Sequence, residues 1–257
     1  MEIALTRDVS PAIQDTELTY RARQPIDFER AVAQHAAYRD ALLRLGLRVL
    51  RLPADPACPD CCFVEDTAVV LDELAVLAAP TPVSRRPEVP AIAGALAEYR
   101  ELAHLPEGAH LEGGDVLRLG RVLYVGLSSR TNQAGIVALA HAVEPFGYRI
   151  VPVAVSGCLH LKSAVTAIGD EAVLANPEWI DMDVFADVAV LPVHAQEPHA
   201  ANVLRARGVL LADAGHPRTL ELLDRYGFAV QAVDASEFVK AEAGVTCRSL
   251  LFREERR

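Results

Sequence analysis

Cys247, His160, Glu112, Asn202 and the pair Glu65-Asp66 are the polar residues of this chain whose types and spacing invite a chemical reading. They stand roughly 45 residues apart, each at the start of a stretch rich in apolar residues. A thiol, an imidazole and carboxylates gathered at one point suit attack on a cationic, planar carbon. Two acids would neutralise and orient a guanidinium through paired N–H···O contacts and fix its carbon about 3 Å from the sulfur. A thiol with the ordinary pKa of about 8.5 is weakly ionised and needs a cation or base beside it. A cationic substrate supplies that charge itself. His160 is the only candidate base in the set, suited to protonate a leaving amine and then to activate water. Taken singly, a cysteine in a strand-like run reads as packing, a histidine as structural and an acid as a turn or cap residue. Their recurrence at one point of a repeat is what favours chemistry.

Residues so far apart meet only if the intervening elements repeat. Five segments share one order: an amphipathic helix, an extended apolar stretch, a polar residue and a hairpin. Helices are expected at 28–45, 87–102, 130–146, more weakly 177–185, and 217–226. Extended stretches follow at 47–52, weakly before Gly108, and at 149–155, 188–193 and 228–233. Four hairpins read as TAVV-LDE-LAVLA, DVLRL-GR-VLYVG, SAVTAI-GDE-AVLA and NVLRA-RG-VLLA. The fifth has only TCRSLLF before the charged EERR, whereas the N-terminus opens on a lone strand, EIALTR. Pairing of the two terminal strands would complete the fifth unit and close a ring without exposed edges.

The bulk composition fits this architecture and excludes several roles. At 257 residues, 51% hydrophobic and 23% charged, the chain is long enough for a sizeable core, read here as one catalytic domain over 1–257. A net charge of −10 argues against nucleic acid as a partner and favours approach of a cation. No apolar run reaches the length of a membrane span and the N-terminus lacks a signal peptide, so the expectation is a cytoplasmic protein with no membrane partner. Five cysteines, an odd number, suit a reducing compartment and not a disulfide framework. Cys58, Cys61 and Cys62 lack a second paired motif, so no metal is expected there. Cys158, two residues before His160, is read as packing.

Seven strings carry a resemblance: PDCCFVED (59–66), SRRPE (84–88), LEGGD (111–115), GLSSRTNQ (126–133), LHLKS (159–163), AAN (200–202) and VTCRSLLF (245–252). In this order they resemble the dimethylarginine dimethylaminohydrolase family of the guanidine-modifying pentein superfamily, over nearly the whole chain. The resemblance implies an α/β fold, a five-bladed propeller with pseudo-fivefold symmetry. It also implies hydrolysis of asymmetric dimethylarginine or monomethylarginine to citrulline and the methylated amine, without a cofactor. The partner it implies is a small guanidino amino acid. Oligomeric state is not written in the sequence, although relatives of this type often pair as homodimers.

By the same resemblance Cys247 is the nucleophile and His160 the general acid and base, with Glu112 supporting the histidine. Asp66 grips the guanidinium. Arg85 and Arg130 clamp the substrate carboxylate, a bidentate task suited to arginine, while Asp60 and Glu65 help hold the amino-acid end and the local network. Leu18, within a lid spanning 10–25, and Ala241 would offer backbone contacts. Where the family shows an apolar residue followed by Asp-Gly, this chain has Ala241-Glu242-Ala243. Arginine deiminases of the superfamily carry a second aspartate two residues after the histidine. Lys162 stands there, which favours a substrate with a methylated terminal nitrogen. Arginine deiminase, an amidinotransferase and, more remotely, a non-catalytic binding protein of the same fold are the alternatives.

Overall fold

The computed structural model describes residues 1–254; the last three residues of the charged tail and of the expected domain lie outside it. Strand β1 (Glu2–Arg7) leads through helix α1 (Phe28–Arg44) to β2 (Arg48–Leu52). Units of two strands, a crossover and a third strand follow. The first is β3 (Ala68–Val70), β4 (Leu74–Leu77), α2 (Val89–Leu96) and β5 (Glu101–His104), and the second is β6 (Val116–Leu119), β7 (Val122–Leu127), α3 (Gln133–Val143) and β8 (Arg149–Ala154). After the single-turn α4 (Leu161–Ala164) come β9 (Val165–Ala167), β10 (Ala172–Ala175), a 3-10 turn (Met182–Phe185) and β11 (Ala189–Pro192). The last full unit is β12 (Leu204–Ala206), β13 (Val209–Asp213), α5 (Pro217–Arg225) and β14 (Ala229–Val233), followed by α6 (Ser236–Val239) and β15 (Leu250–Arg253).

The strands form five sheets of three, ordered β15-β1-β2, β3-β4-β5, β6-β7-β8, β9-β10-β11 and β12-β13-β14. In each, the first pair is antiparallel and the second parallel, so every blade repeats one topology. The expected closure is present: β15 pairs with β1 from Glu2↔Arg253 to Leu5↔Leu250. The central strands are the most buried, Ile3, Ala4 and Leu5 being fully inaccessible, because a neighbouring strand flanks each edge and side chains pack on both faces.

The crossovers pack an apolar stripe outside each sheet. In α1 the Asp27 side chain accepts from the Arg30 amide, and Ala31, His35, Tyr38 and Leu42 recur at helical spacing on the buried face. In α3 the cap is Asn132, so the helix begins three residues later than expected and Arg130 lies in the preceding loop. Two expected helices are corrected. The one at 87–102 ends at Leu96, and Glu101-Leu102 belong to β5, whose pairing with β4 overrides local helical periodicity. The one at 177–185 shrinks to the 3-10 turn, since Asp181 caps there and Ile180 bridges to Val155.

Candidate active site

Each blade's outermost strand returns to the next blade's innermost strand at the same end of the ring, and those returns carry the candidate residues. Asp60, Glu65 and Asp66 lie between β2 and β3, Glu112 between β5 and β6, His160 between β8 and β9, and Cys247 between β14 and β15. Four of the five returns end in a short helical turn just before the strand: Val64–Thr67, Gly113–Asp115, Leu161–Ala164 and Thr246–Arg248. Glu112 and His160 occupy the extended residue that opens their turns.

These turns close round one another without room for side chains at the double glycine. A Cβ on Gly114 would sit 2.6 Å from Asp66 Oδ1 and 2.8 Å from the His160 ring. The LEGGD string is thus a steric requirement of the site. Asp115, fully buried, accepts from the Leu161 amide at 2.9 Å and from Ser128 at 2.6 Å, which pins the turn that aims His160.

The reactive groups share a small cavity of about 20 Å³, lined by Glu17, Asp60, Phe63, Asp66, Arg85, Arg130, Leu159, His160, Ala241, Glu242, Ala243 and Cys247. His160 Nε2 donates to Glu112 Oε2 at 2.7 Å, and its Nδ1 lies 3.8 Å from Asp66 Oδ1. Arg85 donates to Asp66 at 2.8 Å, to Glu88 at 2.9 Å and to the Phe63 carbonyl. Arg130 donates to Glu112 at 3.5 Å and to the Thr19 hydroxyl at 3.2 Å. Cys247 is half-buried, with its sulfur 3.3 Å from the Gly244 amide, a donor suited to a thiolate.

Burial, with the nearby charges of Glu65 and Asp66, pushes the Cys247 thiol up to about 12. Burial alone would push His160 down, but Asp66, Asp115 and the Glu112 hydrogen bond outweigh it and hold the imidazole at about 9. Burial would raise Asp66, yet His160 and Arg85 keep it below its ordinary value. The resting pair at neutral pH is therefore a thiol and an imidazolium. Acceptor atoms of Asp66, Glu112 and His160 lie within 4.8 Å of one another, a set that could hold a metal ion. Arg85 donates to Asp66 and Arg130 to Glu112, so a guanidinium already lies against each of those acids.

Not every candidate reaches the cavity. Glu65 sits beneath it, accepting from Thr246 Oγ1 at 2.6 Å and pairing with Lys162 at 2.6 Å. Asn202 braces the nucleophile's turn: its amide nitrogen donates to Thr246 Oγ1, and its oxygen accepts from the Thr246 amide. Leu18 is half-buried in the lid and its neighbour Glu17 lines the cavity instead. Cys158 packs with Leu161, Val165 and Phe185, and Cys58, Cys61 and Cys62 are buried. Sequence reasoning missed Glu17, Phe63, Leu159 and Ala243 as lining residues and saw Glu242 only as a departure. None stands at a repeated position that would single it out.

Comparison with known proteins places these observations. Residues 9–191 match the family described as N,N dimethylarginine dimethylhydrolase, eukaryotic. The chain is 39% identical to an N(G),N(G)-dimethylarginine dimethylaminohydrolase of Streptomyces coelicolor, covering 98% of this chain and 97% of that one. It is 31% identical to the enzyme so named from Pseudomonas aeruginosa, over 88% of this chain and 90% of that one. Among solved structures, a cysteine-to-serine mutant of the Pseudomonas protein in complex with citrulline superposes with a TM-score of 0.90 at 29% identity, covering 97% and 98% of the two chains. The N-terminal domain of a cyanobacterial arginine dihydrolase, at 19% identity and a TM-score of 0.86 over 98% of each chain, shares the fold.

Proposed function

The chain belongs to the N(G),N(G)-dimethylarginine dimethylaminohydrolase family, and from that premise we infer that its Cys247 cavity hydrolyses N-omega-methylated arginine to citrulline and the methylated amine. The protein is a hydrolase acting on a linear amidine. The observation that carries the reading is that Cys247, His160 and Asp66, drawn from three blades, line one small cavity.

The roles we assign join that placement to the family resemblance. Asp66 receives the guanidinium N–H groups, while Arg85 and Arg130 take the substrate carboxylate and Asp60 the amino-acid end. The bound cation supplies the charge that lets Cys247 release its proton to solvent within a site of acids, since the imidazolium of His160 cannot accept it. The sulfur then bonds to the guanidinium carbon, and the bond from that carbon to the methylated nitrogen breaks as His160 delivers its proton. This leaves an S-alkylthiouronium. His160, now neutral and oriented by Glu112, takes a proton from water, whose oxygen attacks the same carbon. The C–S bond breaks, the hydroxyl proton passes to the departing sulfur, and citrulline forms as the resting thiol and imidazolium are restored. Lys162, paired with Glu65, stands where arginine deiminases carry a second acid, which supports a methylated substrate.

No helix among the described residues is long and apolar enough to cross a membrane. All five cysteines are free, which supports a cytoplasmic setting, and the conversion of a methylated arginine to citrulline would be a step of arginine metabolism. The test is product analysis with arginine, monomethylarginine and asymmetric dimethylarginine. Citrulline with dimethylamine is expected, and Cys247→Ser should abolish it. Ammonia released from plain arginine at higher kcat/KM would overturn the assignment.

A further inference from the structure

We propose that Glu242 is a positioning residue for this reaction, a latch whose carboxylate holds the lid segment Leu18–Arg21 shut over the Cys247 cavity. The proposal rests on the reading of that cavity as the reactive one.

Glu242 adopts φ +58, a left-handed conformation that is unfavourable for a non-glycine residue and persists only where the surroundings impose it. In that conformation its carboxylate reaches across the site to three consecutive lid amides. Thr19 N–H donates to Oε2 at 3.0 Å, Tyr20 N–H to Oε1 at 2.5 Å, and Arg21 N–H to the same Oε1. Among the described residues Glu242 forms no ion pair, so the lid amides are what compensate its charge. Beside the Ser84 hydroxyl on Glu17 and the Lys240 ammonium on the Pro25 carbonyl at 3.0 Å, two lid anchors belong to residues already assigned to substrate: Asp60 accepts from the Glu17 amide at 3.2 Å, and Arg130 donates to Thr19. Substrate would compete for both of those. Glu242 is the anchor on Thr19–Arg21 that can stay in place when substrate arrives.

Its location explains why a latch is needed. The reactive cavity, at about 20 Å³, has room for about one water and none for an arginine. Immediately outside lies a 410 Å³ pocket lined by Tyr20, Arg21, Trp179 and His199, and Leu159, Glu242 and Ala243 line both spaces. Releasing the lid from Glu242 joins the two cavities and admits substrate. Refastening it excludes water other than the one the hydrolysis consumes.

Glu242→Gln keeps the shape and removes the charge, and Glu242→Gly also relieves the left-handed backbone, so neither should lower the melting temperature. Two readouts apply to each: the rate of tryptic cleavage after Arg21 and Arg23, and the steady-state constants with asymmetric dimethylarginine. In both variants, lid cleavage should accelerate about tenfold or more and KM should rise about tenfold, with a smaller change in kcat. Glu242→Asp, retaining the carboxylate, should recover most of the protection. Lid cleavage and KM within twofold of the parent in Glu242→Gln would overturn the latch. So would accelerated cleavage throughout the chain with a fallen melting temperature, the mark of a purely structural role. Cleavage of the lid needs no substrate, so it tests the latch even if the parent failed to turn over methylated arginine.

Discussion

At Cys247 burial and two neighbouring carboxylates act against ionisation, and the thiol stands near 12 while His160 stands near 9. Inactivation of the unliganded protein by iodoacetamide should therefore be slow at pH 7 and still climb beyond pH 9. A plateau near pH 7 would mean a preformed thiolate–imidazolium pair and sink the substrate-assisted scheme. The same shift bears on stability. His160 is raised above its unfolded value of 6.5, so its contribution is fully present below pH 6.5 and is lost as pH rises through 9. It amounts to on the order of 3 kcal/mol at most. Melting temperatures of parent and His160→Gln should accordingly converge between pH 6.5 and 9.5. Arg248 presents the opposite case, a fully buried cation whose nitrogens have no hydrogen-bond partner among the described residues. Its guanidinium carbon stacks 4.2 Å over Tyr38 and 4.8 Å over Phe238. Stacking returns about 2 kcal/mol against a desolvation penalty of several. Arg248→Met should raise the unfolding free energy by roughly 1–3 kcal/mol, read as a higher urea midpoint at unchanged m; a lower midpoint would show that the stacked cation holds the nucleophile's turn.

Among the elements, the short turns before the inner strands carry the site, and their sequence signal is uneven. LEGGD could be read as a motif, but only the packing shows that Gly114 is compelled by Asp66 and His160. Gly114→Ala must move one of them by a few tenths of an ångström or more, and displacements approaching 1 Å cost on the order of 100-fold in rate. The expected outcome is a fall of that size in kcat/KM with the circular dichroism spectrum retained; parent-like kinetics would mean the turn yields elsewhere. Cys247, His160 and Asp66 were legible because each stands at the same point of a repeat. Glu242 was not, since its contact with Thr19 spans 223 residues of sequence and depends on a backbone angle no motif announces. The crossovers were legible where a cap and a long stripe agree, as in α1. They were not at 177–185, where the segment is too short to outweigh the local cap at Asp181.

For the molecule as a whole, five repeated units and two unpaired terminal strands were enough to anticipate a ring, because an open arrangement would leave β1 and β15 as bare edges. In the structure β15 and β1 stand to each other as the two strands of a hairpin do in every other blade, with only the covalent turn missing. The Glu254 amide donates to the Met1 carbonyl at 2.7 Å, so a linker of a few residues bridges the gap. The other four hairpins lie at this same end of the ring, away from the returns that carry Cys247 and His160. A permutant joined there and opened between Arg207 and Gly208 exchanges one hairpin for another, and loop closure costs nearly the same in either place. It should fold and keep kcat/KM within about threefold of the parent. Deleting residues 1–7 is a different matter, because it removes a central strand whose Ile3 and Leu5 are fully buried against Val64, Ala68 and Phe252. Each such side chain lost from a core costs about 2–5 kcal/mol, so the deletion should leave no cooperative unfolding transition. If the permutant failed to fold while the truncated chain remained cooperative, closure of the ring by its termini would not be what holds the blades round the site.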